Sequence, residues 1–308
     1  MSPLLLAICM AAPQDQGPSY IRLKGPSGDF AIENLSSFSA ENPFGPGKVT
    51  LAGNPVRIFW RDAGMALTAN SVVGETALDS ATRNYYLKSA DISGNATTTF
   101  DSDESERYRI KKAKDAGLPA LPPSEAKGRL TLMSDAYRYV GNYDIGTFTL
   151  AHAFVGTWTA TGSFEATDND KPAMLNFDDT ADVHGGNGSI ETFTHLMPGT
   201  SPLRKGFVTG SPTFTYTRKW SLGGKPMPDK TVYGKADRID IDFLSAKHTI
   251  TLTGHVELSG QSDGYSGSAI GTLAVITFGP NDEVDEIHME GTPTVTNIKP
   301  IKSGGSKL

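Results

Sequence analysis

The sequence predicts an all-β protein of antiparallel, twisted hairpin units, and three observations carry that expectation. The first is composition: 308 residues hold 33 Gly and 19 Pro, and with 31 Thr these make 83 positions suited to strands and turns. The second is alternation with period two. In Arg238-Ile239-Asp240-Ile241-Asp242 the apolar residues fall on odd positions; in Thr249-Ile250-Thr251-Leu252-Thr253, continued by Val256 and Leu258, they fall on even ones. Such spacing buries one face of a strand and leaves the other in water. The third is a phrase centred on glycine that returns at Gly53, Gly94, Gly162, Gly210, Gly254 and Gly291, with intervals of 41, 68, 48, 44 and 37 residues. A glycine inside a strand marks a bulge, a bend or a close backbone approach, and a regular recurrence of such units reads as a repetitive β architecture.

Taken in chain order, residues 1–12 read as an export signal. Leu4 to Ala12 form a short apolar run with small residues at its end, although no Lys or Arg precedes Arg22. The run is too short to span a bilayer, and no later stretch reaches the roughly 18 apolar residues of a spanning helix. Cys9 is the only cysteine, which excludes an intramolecular disulfide, a cysteine zinc site and a CxxC redox pair. Residues 13–46 read as an N-terminal strand and linker, 47–300 as the β domain, in one long or two consecutive parts, and 301–308 as a flexible tail. The segment Asp101–Gly128 interrupts the rhythm with 12 charged residues in 28. Its expected form is a solvated insertion loop. A short helix from Glu104 to Ala116, acidic first and basic later, is the alternative.

A second phrase, Ala or Asp/Asn followed by alternating residues, precedes several of the glycines. Examples are Thr68-Ala69-Asn70-Ser71, Ser134-Asp135-Ala136-Tyr137 and Gly234-Lys235-Ala236-Asp237-Arg238-Ile239. The unit is therefore a hairpin pair, and Leu244-Ser245-Ala246-Lys247 is the turn of the clearest one.

GKADRIDIDFLSAKHTITLTGHVELSG, followed by GYSGSAIGTLAVITFGPNDEVDEIHMEGTPTVT, resembles the OstA-like β-jelly-roll domain of lipopolysaccharide-transport proteins, the periplasmic bridge of the LptA and LptC type. The likeness is best over Thr231 to Asn297 and lies in repeat rhythm. It implies an open-ended jelly roll, a periplasmic location, no catalysis and no cofactor. It further implies lipopolysaccharide or another envelope lipid as cargo. Homologous jelly-roll proteins, or further copies of the chain, are the partners it implies, joined edge to edge.

The physics of such a fold stands beside the resemblance. Two curved sheets that do not fully close leave an apolar groove, and an acyl chain gains about 0.8 kcal/mol per methylene buried there. An unpaired edge strand offers its backbone to a partner strand. Parity assigns Ile239, Ile241, Ile250, Leu252, Val256 and Leu258 to the interior face, with Val275 and Ile287 continuing it and Phe148 and Phe214 in earlier units. Ordinary sandwich core is the alternative reading of every one of them.

Other chemistry is thinly represented. His152, His184, His195, His248, His255 and His288 are dispersed, without HExxH or any metal-ligand spacing; His248 and His255 are expected at the surface on opposite faces of a hairpin. Asp178 to His184 reads as an acidic loop. No GxSxG elbow, P-loop or dinucleotide fingerprint occurs. The net charge of −6 argues against a nucleic-acid binder. Trp60, Trp158, Trp220, Tyr85, Tyr86, Tyr137 and Tyr139 are expected to pack within strands, but aromatics also stack on sugars. An envelope polysaccharide-binding or polysaccharide-degrading β protein is thus the rival reading, and a purely structural envelope scaffold the third.

Overall fold

A computed structural model describes residues 19–25, 28–42, 45–61, 63–81, 85–119, 126–194, 203–245, 247–262, 265–279, 284–291 and 294–300. The expected export signal with Cys9, the tail 301–308, His195 and the turn residue Ala246 lie outside them. The described residues form nineteen strands and one helix, and the strand pairing is antiparallel. No helix among them is long and apolar enough to cross a membrane. The chain divides into two compact units: Met1–Pro123, Arg129–Phe154 and Glu191–Pro202 make the first, and Ser124–Gly128, Val155–Ile190 and Leu203–Leu308 the second.

In the first unit β1 (Ser19–Gly25), β2 (Gly28–Ala40), β3 (Gly47–Trp60), β4 (Met65–Leu78) and β5 (Tyr85–Asp101) pair in succession. After α1 (Ser102–Asp115) the meander resumes with β6 (Ala126–Gly141), of which Arg129 onward belongs here, and β7 (Ile145–Leu150). The long strands do not run straight. Register shifts between Ala52 and Val56 in β3, between Thr68 and Ser71 in β4 and between Ser93 and Ala96 in β5. Residues before and after each break serve two different layers, which face each other. The Tyr137 hydroxyl meets Thr98 Oγ1 across the interior, and Phe100 packs edge-on to Phe148 at 5.8 Å. Burial pushes the Tyr137 and Tyr139 hydroxyls far above the ordinary phenol range.

The expected insertion loop is a helix. Asp101 is its N-cap, with Oδ1 accepting from the N–H groups of Asp103 (3.0 Å) and Glu104 (3.1 Å). Asp103 and Glu104 in the first turn and Lys112 and Lys114 in the last complement the dipole. The helix seats against the β3–β4 turn, where the Asp101 N–H donates to Gly64 O at 2.8 Å. It ends in a Schellman motif: Gly117 N–H donates to Lys114 O (3.1 Å) and Leu118 N–H to Ala113 O (2.9 Å), with Gly117 at φ +68°. A local hydrogen-bond set at both ends is what a charge count cannot reveal.

The second unit takes Val155 onward of β8 (Phe154–Asp168), then β9 (Lys171–Gly185) and the first four residues of β10 (Asn187–Phe193). There follow β11 (Leu203–Thr209), β12 (Thr213–Leu222), β13 (Lys225–Pro226), β14 (Lys230–Lys235), β15 (Arg238–Asp242), β16 (Thr249–Ser262), β17 (Tyr265–Phe278), β18 (Val284–Glu290) and β19 (Thr294–Pro300). One layer pairs β8, β9, β12, β14, the second half of β16, the first half of β17 and β19. The other pairs β10, β11, β15, the first half of β16, the second half of β17 and β18. They meet in the interior, where Tyr216 of the first layer packs edge-on to Phe278 of the second at 5.8 Å. The expected Asp178–His184 loop is part of β9. Asn169 and Asp170, both at positive φ (49° and 63°), form the tight turn that joins β8 to β9.

The glycine phrase is a backbone device. Gly94, Gly210, Gly254 and Gly291 all adopt φ between +83° and +95°. At Gly254 the register of β16 against β17 shifts between Thr253 and Val256, which carries the strand from one layer to the other. The second sequence phrase supplies its partner. Asp237 stands so close that a Cβ on Gly254 would lie 2.2 Å from Asp237 Oδ2. That oxygen accepts from the His255 N–H at 3.2 Å and lies 2.8 Å from His255 Nδ1, and these hydrogen bonds hold the Asp237 carboxyl below its usual range. Asn70 stands against Gly94 in the same way, 2.5 Å from where its Cβ would be.

The interior of the second unit also holds an ion pair. Arg218 on β12 and Asp179 on β9 are register partners, both fully buried, joined by Nε to Oδ1 at 2.8 Å and Nη2 to Oδ2 at 2.6 Å. The guanidinium lies 4.8 Å from the centre of the Phe177 ring. Burial, then the Asp179 charge, pushes the neighbouring Tyr216 hydroxyl far above its ordinary range.

Gly254→Ala places a Cβ at positive φ and displaces Asp237; urea unfolding is expected to report a loss of about 1–2 kcal/mol. Arg218→Ala strands a buried carboxylate and is expected to destabilise by about 3–5 kcal/mol. Arg218→Met combined with Asp179→Leu is expected to recover most of that loss in the same measurement, because no unpaired charge remains.

Candidate functional site

In antiparallel pairing, residues directly opposite each other share a face, so register identifies the interior wall of the second unit. One row crosses β11, β15, β16, β17 and β18 as Val208, Ile239, Leu252, Ala274 and Met289. The next crosses the last four as Ile241, Ile250, Ile276 and Ile287. Val208, Ile239, Leu252, Ala274, Ile241, Ile250 and Ile276 are all buried. The rows end at β18, which pairs with β17. There Ile287, although opposite buried Ile276, is 40% exposed, and Met289 is half-buried.

The facing wall is smoother. From β12 to β17 it runs Phe214, Gly234, Leu258, Ala269 and, in the adjacent row, Tyr216, Val232, Gly260, Gly267. Side chains shrink along this wall toward β17: Gly260 and Gly267 carry none where the opposite wall still carries branched residues. Over Gly234 the two walls touch, because a Cβ there would lie 2.5 Å from Leu252 Cδ2. The two walls are thus in contact at the β14 end, and exposure of the inward-facing rows appears only at β18, with Ile287.

The positions expected from parity sort as follows. Ile239, Ile241, Ile250, Leu252, Val256, Leu258 and Phe214 are together in the interior of the second unit. Phe148 is buried in the first unit, against Phe100, Tyr137 and Tyr139. Val275 is a correction: it pairs with Thr251 and His288, so it faces outward with them and is half-buried. In Leu273-Ala274-Val275-Ile276 consecutive residues are apolar, so alternation alone does not fix the phase. Ile287 faces inward as expected, but as a rim residue. Parity missed Ala274, Ile276, Phe278 and Met289, which only the register with β16 and β18 reveals.

Of the two hairpin histidines, one departs from expectation. His248 is half-buried and stacks on Phe243, ring centres 4.5 Å apart, whereas His255 is at the surface. Trp158, Tyr137 and Tyr139 are interior, Trp60, Tyr86 and Trp220 half-buried, and the side chain of Tyr85 lies outside the described residues. No group of His, Cys, Asp and Glu able to hold a metal ion occurs among the described residues. No protein-family model matches the chain, and neither a curated protein nor a solved structure is significantly similar to it.

Register makes a sharp distinction between two adjacent residues. Ile276→Ala is expected to cost about 2–5 kcal/mol, as a cavity in a packed row, while Val275→Ala is expected to stay within about 1 kcal/mol of the parent by urea unfolding.

Proposed function

We propose that this chain is a non-enzymatic lipid carrier or bridge of the periplasm, an OstA-like jelly roll that takes acyl chains of lipopolysaccharide or another envelope lipid. The single observation that carries the reading is the end of the apolar rows at Ile287, an inward-facing residue left in solvent at a strand edge. An acyl chain laid along Ile287 and Met289 toward the small residues of the facing wall would cover that exposure, at about 0.8 kcal/mol per methylene removed from water. A strand from a homologous protein or a second copy, added along β18, would extend the layer and carry the apolar floor onward. Neither role breaks a covalent bond.

Leu252 and Ile250 are the wrong residues for a test, because a charge at a fully packed position unfolds the protein before it reports on binding. Ile287→Asp and Met289→Asp alter the rim instead. Native mass spectrometry of the parent purified from a diderm envelope is expected to reveal bound lipid, lost in the double variant while its circular dichroism is unchanged. A parent that carries no lipid and takes up no added lipid A overturns the reading, and a glycan-binding screen then tests the polysaccharide alternative.

A further inference from the structure

We propose that the outward side of α1 is a docking surface for an anionic lipid bilayer. This does not rest on the function proposed above, since α1 belongs to the first unit and the rim to the second. Residues 107–114 hold five cations, Arg107, Arg109, Lys111, Lys112 and Lys114, and no carboxylate, in a chain of net charge −6. The helix turns Ser102, Ser105 and Glu106 inward and leaves Arg107, Lys111, Lys112 and Lys114 exposed. Positions 107, 111 and 114 share one side of a helix. Arg107 pairs with Asp103, whereas Lys111, Lys112 and Lys114 form no ion pair among the described residues. Carboxylates flank the patch at its ends: Asp103, Glu104 and buried Glu106 before it and Asp115 after it. Complementing the dipole accounts for cations in the last turn, which holds Lys112 and Lys114; Arg107 and Lys111 lie before it.

The second observation is apolar. The Schellman motif fixes the backbone of Leu118 one residue past the helix turn, and its side chain is 63% exposed, the most of any large apolar residue described. Such an ending commonly folds the residue back onto the helix; here it projects into solvent beside Lys114. Cations at phosphate level with a large apolar side chain beside them are what the headgroup region accepts. A nucleic acid would engage the cations and leave Leu118 unexplained; an acidic protein would not depend on lipid, which the vesicle test below separates. Each cation near an anionic surface strengthens binding about fivefold, so the patch gives reversible attachment rather than anchoring.

The test is co-sedimentation of the full chain with vesicles of phosphatidylcholine alone or mixed with phosphatidylglycerol. The parent is expected to bind the mixed vesicles, to ignore the zwitterionic ones, and to release as salt rises. Lys111→Glu with Lys114→Glu should weaken binding at least tenfold, and Leu118→Ser severalfold, each with unchanged circular dichroism. Lys171→Glu with Lys219→Glu, exposed in the second unit, removes the same charge and should bind as the parent does. Equal binding to both vesicle types, binding to neither, or a control pair as impaired as the helix pair overturns the proposal.

Discussion

The fold depends on strands that bend. A β-strand that stays straight can hydrogen-bond in only one layer, and a second layer then needs strands of its own. Here one strand serves both. In β5 and β16 the bend falls on a residue at φ near +90°, where an L side chain is strained, and something must fill the corner; the breaks in β3 and β4 contain no residue at positive φ. Glycine meets the first need. The Asp or Asn from the neighbouring strand meets the second, as Asp237 does over Gly254 and Asn70 over Gly94. Everything else, including the facing walls and the rows of isoleucines, follows from having both halves of a strand on the same interior.

This explains why so much of the architecture was legible in the sequence and where legibility ended. Alternation identified Ile239, Ile241, Ile250 and Leu252, because in each the polar partner residues are unambiguous. It failed at Val275, where four apolar residues in a row leave the phase to hydrogen bonding with β16. The two recurrent phrases were visible as text, but their meeting across a corner is a three-dimensional fact. The helix had a readable N-terminus in Asp101 and Glu104, three residues apart in the pattern of a capping box, yet the surrounding charge favoured a loop. The pair Asp178-Asp179 read as an acidic loop because nothing in a single sequence indicates that Arg218, far along the chain, lies opposite.

The two interiors differ in what they contain. The first unit closes on aromatic rings, with Phe148 touched edge-on or at a tilt by three others and a hydroxyl bond between Tyr137 and Thr98. In the second, aliphatic rows run toward an edge, and charge is confined to one satisfied pair at the far side from that edge. A satisfied buried pair contributes little to stability, but it fixes which residues of β9 and β12 lie opposite each other, since any slip leaves a charge unpaired. Register at one end of the unit is thus held by electrostatics and at the other by the shape of branched side chains.

The outer face of β18 carries Glu286, His288 and Glu290, and Asp285 lies beside them, paired to Lys247 at 3.7 Å. An uncharged edge of this length would template indiscriminate sheet growth. Acidic side chains along it make approach by another acidic strand unfavourable while leaving the backbone groups intact. That repulsion weakens as salt screens the charges.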